Sequence, residues 1–228
     1  PQRPITPYLE EFPKHGVSFE YNNTMPFSTN GKLTGGKFYV DGGISSQFIT
    51  GLLFALPLLE EDSEIILTSH LESKPYVDIT LGTLREHGCQ VEEAENGYFV
   101  KGGQNYMPFS GRVEGDYSQA AFFKVANSLG SDIDIAGLSE KSFQGDKKIV
   151  EICEKIVYNK NGGLRPFDLD CSDIPDLVPV LTVLGSFCEG KSCIRNAARL
   201  RIKECDRLSA ISQCLNAIGG KVTELEDG

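Results

Sequence analysis

Three stretches of the chain carry apolar residues on almost every helical face: residues 47–58, 118–129 and 176–187. A helix that is hydrophobic all round is buried on most of its sides. The strands predicted around these helices mostly alternate apolar and polar residues, which is typical of a sheet with one solvated face. The pattern therefore predicts buried helices inside and half-exposed sheets outside, the reverse of an ordinary βα barrel.

A short motif precedes each apolar helix and occurs three times, at residues 40–51, 113–122 and 169–178. Each copy reads as a strand that ends in an acidic residue, followed by small or polar residues and then by the helix. Because such self-similarity is the signature of a repeat architecture, the motif predicts how the chain is organised. The predicted unit is strand, helix, strand, helix, strand, strand.

The other elements follow from periodicity and turn signals. The second helices of the units are predicted at 75–86, 146–157 and 205–218, and one from an earlier unit at 4–12. Further strands are predicted at 63–68, 90–93, 98–101, 133–135, 192–194 and 221–225. The Asn96-Gly97 pair predicts a tight hairpin. Both ends of the chain cut through a unit, so we expect an internal piece of a longer protein.

Interior helices that run in similar directions would gather their N-terminal ends in one place. Free N–H groups and positive dipole ends at helix starts form a natural anion site. Ser45, Ser46 and Gln47 stand at the first helix start, and Ser73 and Tyr76 at the next. Plain N-capping by serine is the alternative interpretation.

Two charged features stand near the third apolar helix. Asp176 opens that helix, where a carboxylate could accept a proton from an aligned hydroxyl or simply complement the helix dipole. Five cations fall between Arg195 and Arg207. If a helix starts at Lys203, then Lys203 and Arg207 share a face and fit a phosphate or carboxylate. The alternative is a solvated helix with pairs such as Lys203 with Asp206.

Composition narrows the classes of function. Of 228 residues 40% are hydrophobic, which is enough for a core, and the net charge is −10. Such a charge argues against nucleic acid as a partner, because nucleic-acid binding requires clustered Lys and Arg. No apolar run approaches the roughly 18 residues of a membrane span, so no membrane partner is expected.

The cysteines and histidines do not predict a metal site. The seven cysteines are odd in number, scattered and without a Cys-x-x-Cys pair, which argues against zinc binding and against a disulfide framework. His15, His70 and His87 show no ligand-like spacing. Reduced thiols favour a cytoplasmic protein.

Seven segments match a known protein family: Arg3-Pro4-Ile5 and residues 40–48, 73–80, 113–116, 143–146, 174–176 and 203–207. The chain resembles the enolpyruvyl transferases, and most closely their EPSP synthase branch, over essentially all 228 residues. Ser-Ser-Gln at 45–47 and Ser-Lys-Pro-Tyr at 73–76 together are specific to that branch. The sister branch, which acts on UDP-N-acetylglucosamine, differs at those positions.

The resemblance implies an inside-out α/β barrel of βαβαββ repeats in two domains, here truncated at both ends. Residues 1–114 would belong to the first domain, on the shikimate 3-phosphate side, and residues 115–228 to the second, catalytic one. The implied reaction transfers the enolpyruvyl group from phosphoenolpyruvate to the 5-hydroxyl of shikimate 3-phosphate and releases phosphate. It needs no metal or cofactor, and the parent enzyme is expected to be monomeric.

Site roles carry over residue by residue from the same resemblance. Ser45, Ser46 and Ser73 would hold the shikimate phosphate, with Gln47 and Tyr76 beside the ring. The implied phosphoenolpyruvate contacts are Arg3, Gln47 and Arg207.

The implied catalytic residues lie further along the chain. Asp176 would take the proton from the attacking hydroxyl, Lys203 would contact that hydroxyl, and Glu204 would protonate the methylene carbon. Arg199 stands where some relatives have an Asn that contacts the shikimate.

Several of the family's motifs are absent from this sequence, namely an early Lys-Ser and Arg motif, an Asn-Gly-Thr loop and a late Arg and Lys. We therefore expect that the chain alone does not turn over. Two other hypotheses remain: a UDP-N-acetylglucosamine enolpyruvyl transferase and a non-catalytic anion-binding module.

Overall fold

The structure is a computed structural model that describes residues 5–156 and 163–228. The chain divides into two compact units, the first ending at Gly111 and the second beginning at Arg112. Each unit has its own hydrophobic core. The assignment of residues 1–114 and 115–228 to two functional domains stays a prediction.

The first unit is mixed α/β. Its elements are α1 (Thr6–Glu11), β1 (Val17–Glu20), β2 (Ser28–Gly31), β3 (Gly36–Val40), α2 (Ser46–Ala55), β4 (Ser63–Leu67), α3 (Lys74–Glu86), β5 (Val91–Ala94) and β6 (Gly97–Val100). Two short 3₁₀ helices, Phe12–His15 and Leu56–Leu58, extend α1 and α2.

The main sheet of this unit has the strand order β3-β4-β6-β5. Strands β3 and β4 are parallel, with Gly36 opposite Ser63, and the other two pairings are antiparallel. Burial alternates along β3, and α2 buries Phe48, Ile49, Leu52 and Leu53. The predicted apolar helix packed on a sheet with one wetter face is therefore confirmed for this unit.

The predicted hairpin at Asn96-Gly97 is also confirmed, with Ala94 opposite Gly97. Gly97 has φ +149°, and a Cβ there would lie 1.8 Å from the carbonyl oxygen of Ile65. Only glycine fits this approach of β6 to β4.

The second unit contains α4 (Tyr117–Ser128), α5 (Lys148–Ile156), β7 (Asp168–Asp170), α6 (Val178–Ser186), β8 (Cys193–Arg195) and α7 (Arg207–Ala217). Three 3₁₀ helices join them: Gly145–Lys147, Pro175–Leu177 and Ala198–Ile202. Strands β7 and β8 are parallel, with Leu169 opposite Ile194. Helices α4, α5 and α6 supply most of this core, which includes Ala121, Ile149, Leu181 and Leu184.

Two predicted strands are wrong for one shared reason. Residues 133–135 and 221–225 form no strand. The amide side chain of Asn127, near the end of α4, bonds both the N–H and the carbonyl of Ile133, at 2.9 and 2.8 Å. Asn216, near the end of α7, does the same to Val222. These backbone groups are satisfied by a side chain instead of a neighbouring strand.

Other element boundaries also differ from the predictions. The strand expected at the start of 113–122 is absent, and Asp116 instead caps α4 by accepting a bond from the N–H of Ser118. The helix expected at 205–218 begins only at Arg207. Parts of the helices predicted at 4–12 and 146–157 lie outside the described residues. The closed barrel implied by the resemblance stays a prediction.

Candidate functional site

In the first unit, parallel pairing places two helix starts at one edge of the sheet. Because β3 and β4 run in the same direction, the loops that lead to α2 and α3 leave the sheet side by side. The two loops touch: the N–H of Glu72 donates to the carbonyl of Gly42 at 3.1 Å. This edge is where the sequence predicts phosphate binding.

The Ser-Ser-Gln segment forms the first of these helix starts. Ser45 is the N-cap of α2, and its hydroxyl accepts a bond from the N–H of Gln47 at 3.3 Å. Ser46 is buried in the first turn, whereas Gln47 is exposed. The capping interpretation of Ser45 is therefore correct, and a capping hydroxyl can still donate its proton to an anion.

Ser73 holds the second helix start in an uncommon backbone conformation. It precedes α3, has φ +56° and is 4% exposed. Left-handed conformations cost energy for a residue other than glycine and are concentrated at functional sites. Tyr76 lies one turn along, half-buried, and its N–H donates to the carbonyl of Ser73 at 3.0 Å.

Lys74, the cation at the same helix start, is paired within the unit. Its ammonium group lies 2.5 Å from Asp78 and 3.6 Å from Glu93. The hydrogen bond with Asp78 raises the pKa of Lys74 above its ordinary value, although partial burial opposes this. An anion at this helix start would therefore compete with Asp78 for Lys74.

In the second unit, one guanidinium group joins two predicted catalytic carboxylates. Arg207 donates from Nη1 to Asp176 Oδ1 at 2.8 Å, and from Nε and Nη2 to the two oxygens of Glu204 at 2.5 and 3.0 Å. These residues come from three different places: the 3₁₀ helix Pro175–Leu177, the segment after Ala198–Ile202, and the first residue of α7. The structure thus brings Asp176, Glu204 and Arg207 together.

The two carboxylates act on the pKa of Arg207. The bond to Glu204 raises the pKa of Arg207 most strongly, burial opposes this, and the bond to Asp176 raises the pKa further. The side chain of Arg207 is 24% exposed and that of Glu204 54%. The guanidinium group of Arg207 is therefore partly accessible to solvent.

Lys203 does not share a helix face with Arg207, because no helix starts at Lys203 and the condition for that arrangement is not met. Asp206 is the N-cap of α7 and accepts a bond from the N–H of Ser209 at 3.0 Å, so the helix starts four residues later than Lys203. Lys203 follows the 3₁₀ helix Ala198–Ile202 in an extended conformation, with φ −77° and ψ −155°. It stands next to Glu204 in the chain.

Arg199 has a clear structural role. Its guanidinium donates to the backbone carbonyl of Ser172 in the turn before Asp176. It thereby fastens the 3₁₀ helix Ala198–Ile202 to the loop that carries the predicted base. Arg3, the remaining predicted contact, lies outside the described residues.

Sequence reasoning missed the contacts of the acidic residues that end strands β3 and β7. Asp41 and Asp170 each accept bonds from two separate chain segments. The signal was present, because each repeat of the motif carries an acidic residue at this position.

The described residues hold neither a metal-binding cluster nor a membrane-spanning helix. Over 5–156 and 163–228 no group of three or more His, Cys, Asp or Glu side chains is placed to hold a metal ion. The helices in this part of the chain are each too short or too polar to cross a bilayer.

Similarity to known proteins shows the family to which the chain belongs. A family model described as EPSP synthase (3-phosphoshikimate 1-carboxyvinyltransferase) matches residues 1–228. The chain belongs to the EPSP synthase family. It is 44% identical over 240 residues to a 3-phosphoshikimate 1-carboxyvinyltransferase of Clostridium perfringens. That alignment covers 100% of this chain and 57% of the relative. A Clostridioides difficile protein of the same name is 45% identical, and the alignment covers 99% of this chain and 54% of that protein.

The chain thus spans about half the length of the curated relatives that it matches. Among solved structures, an EPSP synthase from Acinetobacter baumannii superposes with a TM-score of 0.75 at 22% identity, over 100% of this chain and 56% of that one. The enolpyruvyl transferase NikO from Streptomyces tendae gives a TM-score of 0.65 at 14% identity, over 92% and 54%. At these identities the likeness shows that the EPSP synthase family fold is present.

Proposed function

We propose that the chain carries substrate-binding and catalytic residues of an enzyme that transfers the enolpyruvyl group of phosphoenolpyruvate to the 5-hydroxyl of shikimate 3-phosphate. The observation that carries the proposal is the trio of Asp176, Glu204 and Arg207, which three separate segments bring into direct contact. A base, an acid and an anion-binding cation are the groups that such a transfer requires.

The chemistry can be assigned to this trio step by step. Asp176 accepts the proton of the attacking hydroxyl while the hydroxyl oxygen adds to the enol carbon of phosphoenolpyruvate. Glu204 gives a proton to the methylene carbon, which becomes a methyl group. Phosphate then leaves while the methyl group returns a proton to Glu204, and the double bond is restored. Lys203 contacts the hydroxyl. Since Arg207 now holds Glu204, an incoming phosphoenolpyruvate carboxylate would release Glu204 to take up the proton that it delivers.

The first unit would recognise the phosphate of shikimate 3-phosphate. Ser45, Ser46 and Ser73 supply hydroxyl groups at the adjacent starts of α2 and α3, where the positive ends of the helix dipoles favour a dianion. Gln47 and Tyr76 would face the ring, and Gln47 would also contact phosphoenolpyruvate. Arg3 is proposed for the second anion on the resemblance alone.

The proposed setting is a reducing, cytoplasmic one with small-molecule partners only. All seven cysteines lie in the described part of the chain, and none forms a disulfide there. A monomeric parent and the absence of nucleic-acid partners remain part of the proposal.

Calorimetric titration tests the substrate class. The chain is titrated separately with shikimate 3-phosphate and with UDP-N-acetylglucosamine at equal concentrations. We expect heat of binding from shikimate 3-phosphate only. Binding of the UDP-sugar, or of neither ligand, would contradict the proposal. In a phosphate-release assay with both substrates we expect no steady-state turnover by this chain.

A further inference from the structure

Asp41 ties together the two loops of the first unit that carry the proposed phosphate ligands. It follows β3, and one of its carboxylate oxygens accepts bonds from the N–H of Gly43 at 2.8 Å and from the hydroxyl of Ser69 at 2.5 Å. Ser69 follows β4 and also lies 3.2 Å from the N–H of Gly43. A single carboxylate thus joins the loop leading to Ser45 with the loop leading to Ser73.

The two loops are also in backbone contact at this point. A Cβ at Gly42 would lie 2.8 Å from the carbonyl oxygen of His70 and 3.0 Å from the Cα of Leu71. Only a residue without a side chain permits that approach. The bonds of Asp41 therefore strengthen a contact between the two loops that is already closely packed. This contact sets the spacing between the starts of α2 and α3.

The second unit repeats the arrangement with a different donor. Asp170 ends β7 and accepts one bond from the N–H of Ser172 at 2.9 Å and one from the side-chain amide of Asn196 at 2.7 Å. Asn196 directly follows β8 and has φ +56°. The bond from the N–H of Ser172 is the main reason that the pKa of Asp170 is lowered, and the Asn196 amide lowers it further.

These bonds again join two segments that carry proposed site residues. The segment after Asp170 leads through Ser172 to Asp176, and the segment after Asn196 leads to Glu204 and Arg207. In both units the acceptor stands at the end of one parallel strand and the donor at the end of its neighbour. In the second copy the acidic residue at this position is Glu114, whose Oε1 accepts bonds from the hydroxyl of Ser142 at 2.6 Å and from the side-chain amide of Gln144 at 2.9 Å. Asp116, two residues further on, accepts local bonds from the N–H and the hydroxyl of Ser118, both at 2.8 Å.

We propose that Asp41 and Asp170 are positioning residues, each of which holds two substrate-binding or catalytic loops in register without touching substrate. This rests on the proposed function, since the loops are assigned roles there. The acidic residue of the sequence motif thus serves a purpose beyond strand termination. Pre-organised loops lower the entropic cost of binding, so loss of either carboxylate should weaken ligand binding more than it weakens the fold.

The first experiment compares Asp41→Ala with Asp116→Ala. Both changes remove a carboxylate that accepts a bond from an N–H two residues on, but only Asp41 also bonds across to a second loop. We expect the affinity for shikimate 3-phosphate to fall by about tenfold in Asp41→Ala and by less than about twofold in Asp116→Ala. Asp41→Asn, which keeps an acceptor oxygen, should recover part of the loss.

Ser69 allows the cross-loop bond to be removed from the other side. Ser69→Ala should weaken binding and add little to Asp41→Ala in the double variant, because the two residues share one interaction. Ser69→Thr keeps the hydroxyl and should bind as the parent chain does.

Amide hydrogen exchange in the absence of ligand provides a readout that does not depend on substrate identity. In Asp41→Ala we expect faster exchange at residues 43–47 and 69–74, and in Asp170→Ala at 172–176 and 197–204, with the helix interiors unchanged. Exchange equal to that of the parent chain would overturn the proposal. The proposal would also be overturned if the parent chain binds shikimate 3-phosphate and the Asp41→Ala variant binds it equally well. Failure of the parent chain to bind would instead refute the proposed function.

Discussion

At the scale of single residues, Ser45 combines two tasks that a substitution can separate. Its hydroxyl caps α2 through the N–H of Gln47, and its proposed task is to donate to a phosphate. Asparagine and aspartate cap helices about as well as serine does, but aspartate adds a negative charge where the phosphate would sit.

Ser45→Asp should therefore keep the melting temperature of the chain or raise it slightly. Its affinity for shikimate 3-phosphate should fall roughly a hundredfold, because two negative charges would meet at close range. Ser45→Asn, the neutral control, should lose much less. Calorimetry and thermal unfolding measure both quantities, and equal binding by the aspartate variant and the parent chain would refute a phosphate at Ser45.

Glu204 competes with phosphoenolpyruvate for Arg207 in the proposed account. Glu204→Gln should therefore bind phosphoenolpyruvate several-fold more tightly, a modest gain because exposed charges are screened. Glu224→Gln is a matched control, since Glu224 pairs with Arg201 at 2.6 Å in the same unit. A similar gain in both variants would show a general charge effect and not a ligand site at Arg207.

At the scale of elements, sequence patterns predicted the helices more accurately than the strands that follow them. Apolar periodicity identified α3, α4 and α6 within two residues, and α2 as well if the 3₁₀ helix Leu56–Leu58 that continues it is included. It succeeded because burial is encoded in the side chains of the helix itself. The pattern around Ile133 and Val222 suggested strands, but partners for a strand are set by distant residues. Here the side-chain amides of Asn127 and Asn216, near helix ends, form hydrogen bonds with the backbone groups of Ile133 and Val222.

The same limit applies to the candidate site. Ser45 could be recognised as a possible cap from the sequence because capping is local. The contact of Arg207 with Asp176 spans 31 positions and depends on how α6 and α7 are placed. The start of α7 was predicted two residues early, at residue 205, because apolar periodicity does not fix the first turn, whereas the capping bond of Asp206 places the start at Arg207.

The cap of α7 gives a prediction for pH. The N–H of Ser209 lowers the pKa of Asp206 most, and Arg201 lowers it further. A carboxyl whose folded pKa lies below its unfolded value of about 3.9 contributes stability above that pH and loses it as the pH falls through the folded pKa.

The melting temperature of the parent chain should therefore drop more steeply below about pH 4 than that of Asp206→Asn, which caps the helix but does not titrate. Thermal unfolding followed at several pH values compares the two, and the other carboxylates cancel because both chains share them. Parallel curves would mean that Asp206 is not stabilised in its ionised form.

At the scale of the whole molecule, two separate cores account for the fold. Leu53 is fully buried in the core of the first unit and Leu181 in that of the second. Replacing either by alanine removes apolar contacts and leaves a cavity, at a cost of about 2–5 kcal/mol.

Leu53→Ala should raise amide exchange first in residues 36–100, and Leu181→Ala first in residues 117–156 and 163–217. Hydrogen exchange resolved by peptide measures this directly. Equal acceleration in both units by either variant would contradict the existence of two distinct cores.

The central claim is that the adjacent starts of α2 and α3 bind the phosphate of shikimate 3-phosphate. The most direct measurement is calorimetric titration of Ser45→Ala/Ser46→Ala with that ligand, beside Ser118→Ala, which changes the corresponding serine of the second repeat. The account predicts no detectable binding by the double variant, unchanged binding by Ser118→Ala and folded circular-dichroism spectra for both. A folded double variant that still binds shikimate 3-phosphate like the parent chain would contradict it.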